Sequence, residues 1–470
     1  MKKIISILLT IIMGIACFGF LAACGGEEVG PQWTTTGELV KDEDGNIVYD
    51  NVELRLTNVV TAQDKGVLEG LIGKFNRQYR DKITIISNSI TESQFETEVA
   101  KRITNNNNAP DFIMSHQEGQ KQLVDLKMLQ PFDEALEKSG IDIKIDDYST
   151  ALSDFSKYGT DELYSIPVDC QSMLVLYNKD ILAELGGALP KNHAELVALC
   201  AQAKEKNYTP IAWTTQMEQF QSYLFVTALL QNGVELYNEN SYRAEWSAGE
   251  NLQAFKTAIN SIKDLVVYSP ANRSNKDVTA DFMGNKCLFY VGLPWDMQSL
   301  LESYAQQYTD NDLEKVAEKI GGTSITKWFA MDESKPYANT IYGDSHFFAM
   351  TRMVQDITKK AAICEFVKWF SQEVSVQLEW VETGHMSVCN LVTSSPEYSE
   401  NFYAKNYVTE FYPDINNFVS TGQTPYFLEL RTYLGQIILT LLSESNTLTD
   451  EEVIKLNEDK FNAQVDLANM

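Results

Sequence analysis

Four histidines, His116, His193, His346 and His385, are the only side chains whose ordinary pKa suits proton transfer at neutral pH. None stands in an H-E-x-x-H pair, and no two lie at metal-ligand spacing along the chain. A G-x-S-x-G nucleophile elbow is absent. Gly73-Lys74 looks like a fragment of a phosphate loop, but Phe75 stands where Ser or Thr must hold magnesium and no glycine opens the loop. G-x-G-x-x-G is missing too, so nothing supports a dinucleotide enzyme. With 65 Asp and Glu, pairs suited to glycosidase chemistry arise by chance, and spacing in sequence does not supply their separation. The expectation is no catalytic residue, no metal and no cofactor, with a surface glycosidase as the alternative to a binding protein. Asp42, Asp44, Asn46, Asp50 and Glu53 do match an EF-hand ligand pattern. However, Ile47 stands where the sharp turn needs glycine, and Gly45 is displaced, so a plain acidic turn is expected.

The chain has 470 residues, 44% hydrophobic and 22% charged, which is ample for a packed core. Its net charge of −27 repels a phosphate backbone and argues against nucleic acid as a partner. Its 51 aromatics (7 Trp, 22 Tyr, 22 Phe) exceed ordinary core demand, so some are expected in a wet site.

A basic head, Met1-Lys2-Lys3, precedes an almost uncharged run from Ile4 to Ala23. The run ends in Leu21-Ala22-Ala23-Cys24, which resembles the lipobox of bacterial lipoproteins. That resemblance implies a signal peptide over 1–23, cleavage before Cys24, and diacylglyceryl lipid on the Cys24 thiol. The product would be held to the membrane by its lipid anchor on the extracytoplasmic face, and would not span it. An uncleaved membrane helix is the competing reading. Residues 24–50 then hold the lipidated end, a Gly- and Thr-rich tether and the start of a hairpin running from Leu39 to Val59. The five remaining cysteines, Cys170, Cys200, Cys287, Cys364 and Cys389, are odd in number and widely spaced, so buried free thiols are expected.

Beyond the tether, strands and helices alternate. Val52–Val60, Lys82–Ser87 and Asp111–Ser115 read as strands, with helices around 67–75 and 95–103 between them. Repeated β-α-β implies an α/β fold with a largely parallel sheet covered on both faces. Ligands of such sheets bind at the carboxyl ends of the strands, so the loops after Val60, Ser87 and Ser115 are expected to converge. Helices are also predicted over 194–203, 252–266 and 359–370.

Four stretches together resemble the carbohydrate type of extracellular solute-binding protein of ABC importers. They are Ala109–Ile113 with Leu123–Phe132, Tyr164–Pro167 with Leu174–Asp180, Gly186–Leu199, and Phe282–Trp295. In the third, His193 and Ala194 replace the usual threonine and tryptophan. The resemblance implies a two-lobed periplasmic-binding-protein-like fold (type II), with lobe 1 over 51–167 plus 343–383 and lobe 2 over 168–342 plus 384–470. It implies crossings near Pro167–Gln171, Tyr342–His346 and Thr383–Ser387, and a cleft that closes on ligand. It also implies a monomer that delivers a carbohydrate to the transmembrane subunits of an ABC permease.

A sugar presents an apolar C–H face to aromatic rings and polar edges to paired hydrogen bonds. Trp295 occupies the slot of the family's cleft tryptophan, and Trp213 follows another predicted strand; both are candidate ligand-binding rings. Trp246, Trp328, Trp369 and Trp380 read as packing. Polar candidates are Asp64, Glu92, Ser93, His116, Gln117 and Glu118 from the strand-end loops of lobe 1, Asp169 and Gln171 in the first crossing, and His346 and His385 near the others. Asp64 also suits a helix N-terminus. The alternative ranked above the glycosidase keeps the fold but binds a peptide, polyamine or other non-sugar solute; an amino-acid ligand would want an Arg paired with an acid, and the chosen strand-end loops of lobe 1 carry no Arg.

Overall fold

The structure is a computed structural model that describes residues 34–214, 220–269, 275–420 and 424–468. The expected signal peptide, Cys24 and most of the tether lie outside the described residues. Among those described, no helix is long and apolar enough to cross a membrane.

The polypeptide enters through a tight turn in which Lys41 bridges Ile47. Asp42 Oδ1 accepts the backbone N–H groups of Asp44 at 3.0 Å and Asn46 at 2.8 Å, so this carboxylate closes its own turn. The first sheet follows. β1 (Val52–Asn58), β2 (Ile83–Ser89) and β3 (Phe112–His116) lie parallel with β1 in the middle. β4 (Leu129–Gln130) and β5 (Ser165–Pro167) both pair with a strand from far along the chain. β6 (Asp169–Cys170) is the short link that follows, and β7 (Leu174–Asn178), β8 (Thr209–Ala212), β9 (Cys287–Gly292) and β10 (Ile320–Thr323) build the second sheet in the order β10-β7-β9-β8. β11 (Ile341–Tyr342) precedes β12 (His346–Thr351), which returns to the first sheet and runs antiparallel to β3, β4 and β5. β13 (Met386–Ser387) pairs with β6, and β14 (Phe418–Val419) with β11. The first sheet is therefore parallel apart from β12, and the second is mixed.

Period-two alternation explains how β3 can be buried throughout. Phe112 and Met114 face a core shared with the helices Lys65–Gln78 and Ile357–Gln372, while Ile113 between them faces Phe95, Val99 and Ile103 of the helix Phe95–Thr104. Phe366 meets Phe75, Phe112 and Phe348 edge-on at ring distances of 4.9, 5.6 and 5.6 Å. Fully buried rings of this kind stabilise by about 1.5–3 kcal/mol each.

The second sheet packs under helices Gly249–Val266 and Phe427–Leu441. The first of these buries Leu252, Phe255, Ile259, Ile262 and Leu265, the three-and-four spacing of an amphipathic helix. Trp246 stacks on Phe461 at 5.5 Å in this core and donates its indole N–H to the Leu236 carbonyl, which is the packing role expected of it. All five expected cysteines are free and buried.

Candidate functional site

The site grows from one strand register. In the antiparallel pairing of β12 with β3, His346 lies directly opposite His116. Directly opposed residues present their side chains to the same face, and the two rings come within 4.9 Å. Pairing of β13 with β6 sets Ser387 opposite Asp169 and brings His385 alongside, its ring 5.3 Å from His346. Three of the four histidines thus form one buried file where the chain passes between the two sheets. A further bridge joins Gln171 to Asp344 through reciprocal backbone hydrogen bonds of 2.8 Å. Gly343 makes this approach possible, since a Cβ there would meet the Gln171 carbonyl at 2.1 Å.

At one end of the file, Asp169 is saturated. Its Oδ1 accepts the His346 backbone N–H at 2.9 Å, and its Oδ2 accepts His346 Nδ1 at 2.9 Å and Trp380 Nε1 at 2.6 Å. Trp380 stacks on His385 at 5.0 Å, and His385 Nδ1 bonds the Thr383 hydroxyl at 2.6 Å. Burial works to raise Asp169, but His346, which gives it both its ring and its backbone N–H, outweighs it and holds the carboxyl at about 2. Burial pulls His385 down to about 3, so this ring is neutral.

At the other end, charges from distant segments face one another. His116 Nδ1 lies 3.3 Å from Glu92 Oε1 and 3.3 Å from Asp344 Oδ2. Arg431, on the helix Phe427–Leu441 of the second core, reaches Glu92 Oε1 at 2.6 Å and approaches Glu118 Oε2 at 3.8 Å. Tyr342 donates its hydroxyl to Glu118 at 2.7 Å, and Ser420 donates to Gln117 at 2.6 Å. Burial alone would lower His116, but Asp344 and Glu92 outweigh it and raise the imidazole to about 10. Burial acts to raise Glu92, yet Arg431 and His116 keep its carboxyl well below the usual range. Asp344 is pushed up to about 7 by burial, against the pull of His116.

The junction also holds buried polar atoms without a hydrogen-bond partner: Asp64 Oδ1, His116 Nδ1, Gln171 Oε1, Asp344 Oδ2 and His385 Nε2. Such atoms are uncommon in folded proteins and ask for a reason. Three of them are obligate acceptors, so a ligand that satisfies them must bring donors. Burial raises the Asp64 pKa, and Asp64 lies 3.9 Å from His385 Nε2.

Of the residues singled out from sequence, Asp64, Glu92, His116, Gln117, Glu118, Asp169, Gln171, His346 and His385 meet at this junction. Trp295 stands at its edge, half-buried in a short turn after β9. Its neighbour Asp296 accepts from the Gln63 amide at 3.0 Å, and Ser299 donates to Gln63 at 2.8 Å, so this turn touches the loop after β1. Gly384, at φ +86°, packs its backbone against Pro294, where a Cβ would come within 2.4 Å of a carbonyl. Ser93 is exposed. Trp213 stands apart, 1% exposed in the second core and edge-on to Phe220 at 5.4 Å.

Sequence reasoning missed Asp344, Tyr342 and Arg431, and it read Trp380 as packing alone. For Arg431 a signal existed: it is the single cation among the apolar residues of FLELRTYLGQIILTL, on the face that buries Leu430, Leu434 and Ile438.

Comparison with known proteins matches residues 61–373 to the family described as bacterial extracellular solute-binding protein. Among solved structures, the sugar-binding protein MalE from the phytopathogen Xanthomonas citri aligns with a TM-score of 0.68 at 16% identity, covering 89% of this chain and 98% of that one. The GacH receptor of Streptomyces glaucescens, solved unliganded and with acarbose, aligns with a TM-score of 0.67 at 16% identity over 88% of this chain and 99% of its own. The cyclic alpha-maltosyl-1,6-maltose binding protein from Arthrobacter globiformis gives 0.63 at 16% identity over 88% and 99%. The two-lobed architecture is common to all of them.

Proposed function

From the premise that this chain belongs to the bacterial extracellular solute-binding protein family, we propose that it captures a carbohydrate between its lobes and hands it to the transmembrane subunits of an ABC permease. The observation that carries the reading is the set of orphaned acceptors at the lobe junction, Asp64 Oδ1 and Gln171 Oε1 foremost, with the half-buried Trp295 in the turn whose neighbouring residues Pro294 and Asp296 touch Gly384 and Gln63. Sugar hydroxyls bring the donors those atoms lack, and an indole suits the apolar face of a pyranose ring. The sugars named for the similar structures point the same way.

In this reading lobe 1 comprises 51–167 plus 343–383 and lobe 2 comprises 168–342 plus 384–470. Ligand bound by one lobe recruits the other and shifts an open–closed equilibrium by its differential affinity. The mature chain begins at a lipidated Cys24, is tethered by residues 24–50, and works as a monomer. It binds without catalysis, so sugar should be recovered unchanged after incubation.

The test is a thermal-shift screen against mono- and oligosaccharides, since a bound ligand raises stability by RT ln(1 + [L]/Kd), followed by calorimetry on the best ligand. Trp295→Ala is expected to weaken binding about tenfold or more, about 1.4 kcal/mol, with an unaltered melting temperature in the absence of sugar. Unchanged affinity in that variant would remove Trp295 from the site. Intact-mass analysis of membrane-extracted protein checks the anchor, because residues 1–23 still attached would exclude a lipoprotein.

A further inference from the structure

The geometry points to a divalent transition-metal site at the lobe junction, with His116 Nδ1, Asp344 Oδ2 and Glu92 Oε1 as its ligands. These donors come from three separate places: the end of β3, the crossing before β12 and the loop after β2. All three atoms lie within 4.8 Å of one another. His116 Nδ1 is 3.3 Å from each of the two carboxylate oxygens. Nitrogen and oxygen ligands set about 2.1 Å from a tetrahedral ion stand roughly 3.4 Å apart, which both distances from His116 match.

Two of the three donors face each other across an ion-pair distance of 3.3 Å and make no hydrogen bond. His116 Nδ1 and Asp344 Oδ2 are both buried and without a hydrogen bond. The adjacent trio Asp169, His346 and His385 gathers just as closely, yet Asp169 already accepts three donors and has little lone-pair density to offer. Similar residues at similar spacing are therefore separated by whether their lone pairs are spent.

Charge balance favours the same assignment. Around His116 lie the carboxylates of Glu92, Glu118 and Asp344 and the single guanidinium of Arg431. Among the described residues carboxylates outnumber cations there, and a divalent ion that displaces the imidazole proton adds positive charge where they gather. Arg431 on Glu92 then acts as an outer partner that orients a ligating carboxylate. Glu92 retains 30% of its side-chain surface, which leaves the ion a way in. One imidazole and two carboxylates suit Zn2+ or Mn2+ better than a thiophilic ion.

The experiment uses the full chain, stripped with chelator and titrated with Zn2+ by calorimetry in the absence of sugar, so its outcome is independent of the carbohydrate reading. One equivalent is expected to bind and to raise the melting temperature. His116→Ala is expected to lose about a hundredfold or more in Zn2+ affinity, and Asp344→Asn about tenfold or more. His193→Gln should bind as the parent does, because His193 lies in the second core against the Trp328 carbonyl. His116→Gln serves if the alanine variant does not fold. Failure of the stripped parent to take up an equivalent of Zn2+, or equal uptake by the parent and His116→Gln, overturns the site.

Discussion

The two ends of the histidine file are built from the same materials and behave oppositely. Around Asp169 every carboxylate lone pair that matters is occupied, by a backbone amide, an imidazole and an indole, and the neighbouring His385 is held neutral. Around Asp344, one ring further along the file and 4.9 Å away as measured between His346 and His116, a carboxylate oxygen and an imidazole nitrogen lie 3.3 Å apart without a hydrogen bond and the imidazole is held charged. Both groups are buried, so burial alone does not distinguish them. The difference is the local ratio of donors to acceptors: the Asp169 end is donor-sufficient and rigid, while the His116 end has more carboxylates than its donors can serve. The first is suited to fixing how the crossing strands lie, and the second to receiving something from outside.

The comparison can be broken first at its saturated end. Asp169→Ala leaves three buried donors, the backbone and ring N–H of His346 and the indole N–H of Trp380, without their acceptor, and removing one partner of such a buried network costs about 3–5 kcal/mol. Urea unfolding should show that loss, whereas Asp344→Ala should cost much less; equal losses would contradict the distinction. The next effect lies across the lobes. Arg431→Met removes the guanidinium that reaches Glu92 and approaches Glu118, a change of about 1–3 kcal/mol against the proposed closed form, to be read as a larger radius of gyration in solution scattering.

The effect that sharpens the contrast most is pH dependence. His116 has a folded value of about 10, above its ordinary 6.5, so the stability it contributes is fully present below about 6.5 and is lost as pH rises through 10. His385, at about 3, has the opposite sign: the unfolded chain takes up a proton that the folded chain refuses, and stability falls as pH drops from about 6.5 towards 3. Asp169 adds an acid loss below about 3.9, as pH falls through its folded value of about 2. Urea midpoints across this range should therefore lose their alkaline decline in His116→Gln and part of their acid decline in His385→Gln. The same limb flattening in both variants would mean that the two ends are not electrically distinct.

Much of the fold was legible because its causes are local. The strand predicted over Asp111–Ser115 forms at Phe112–His116, and the helix predicted over 359–370 forms at Ile357–Gln372, since alternation and three-to-four spacing reflect neighbours in sequence. The loops after β1, β2 and β3 do converge, as the topology rule for such sheets requires. The inversion of β12 was not legible, because a strand's direction depends on where the chain re-enters the sheet. Arg431 escaped notice for a related reason: its partner Glu92 is 339 residues away.

The residue types at the junction, the apolar run that precedes Cys24, and the absence of H-E-x-x-H, G-x-S-x-G and G-x-G-x-x-G motifs were determined by the sequence alone. Tertiary structure decided which of those residues meet. One register, His346 opposite His116, sets the file, and because side chains alternate along a strand, a slip of a single residue would turn both rings to the other face. Whether a buried carboxylate is spent or waiting then depends on donors delivered from β12, the helix Val374–Val381 and the helix Phe427–Leu441, and no local pattern encodes that count.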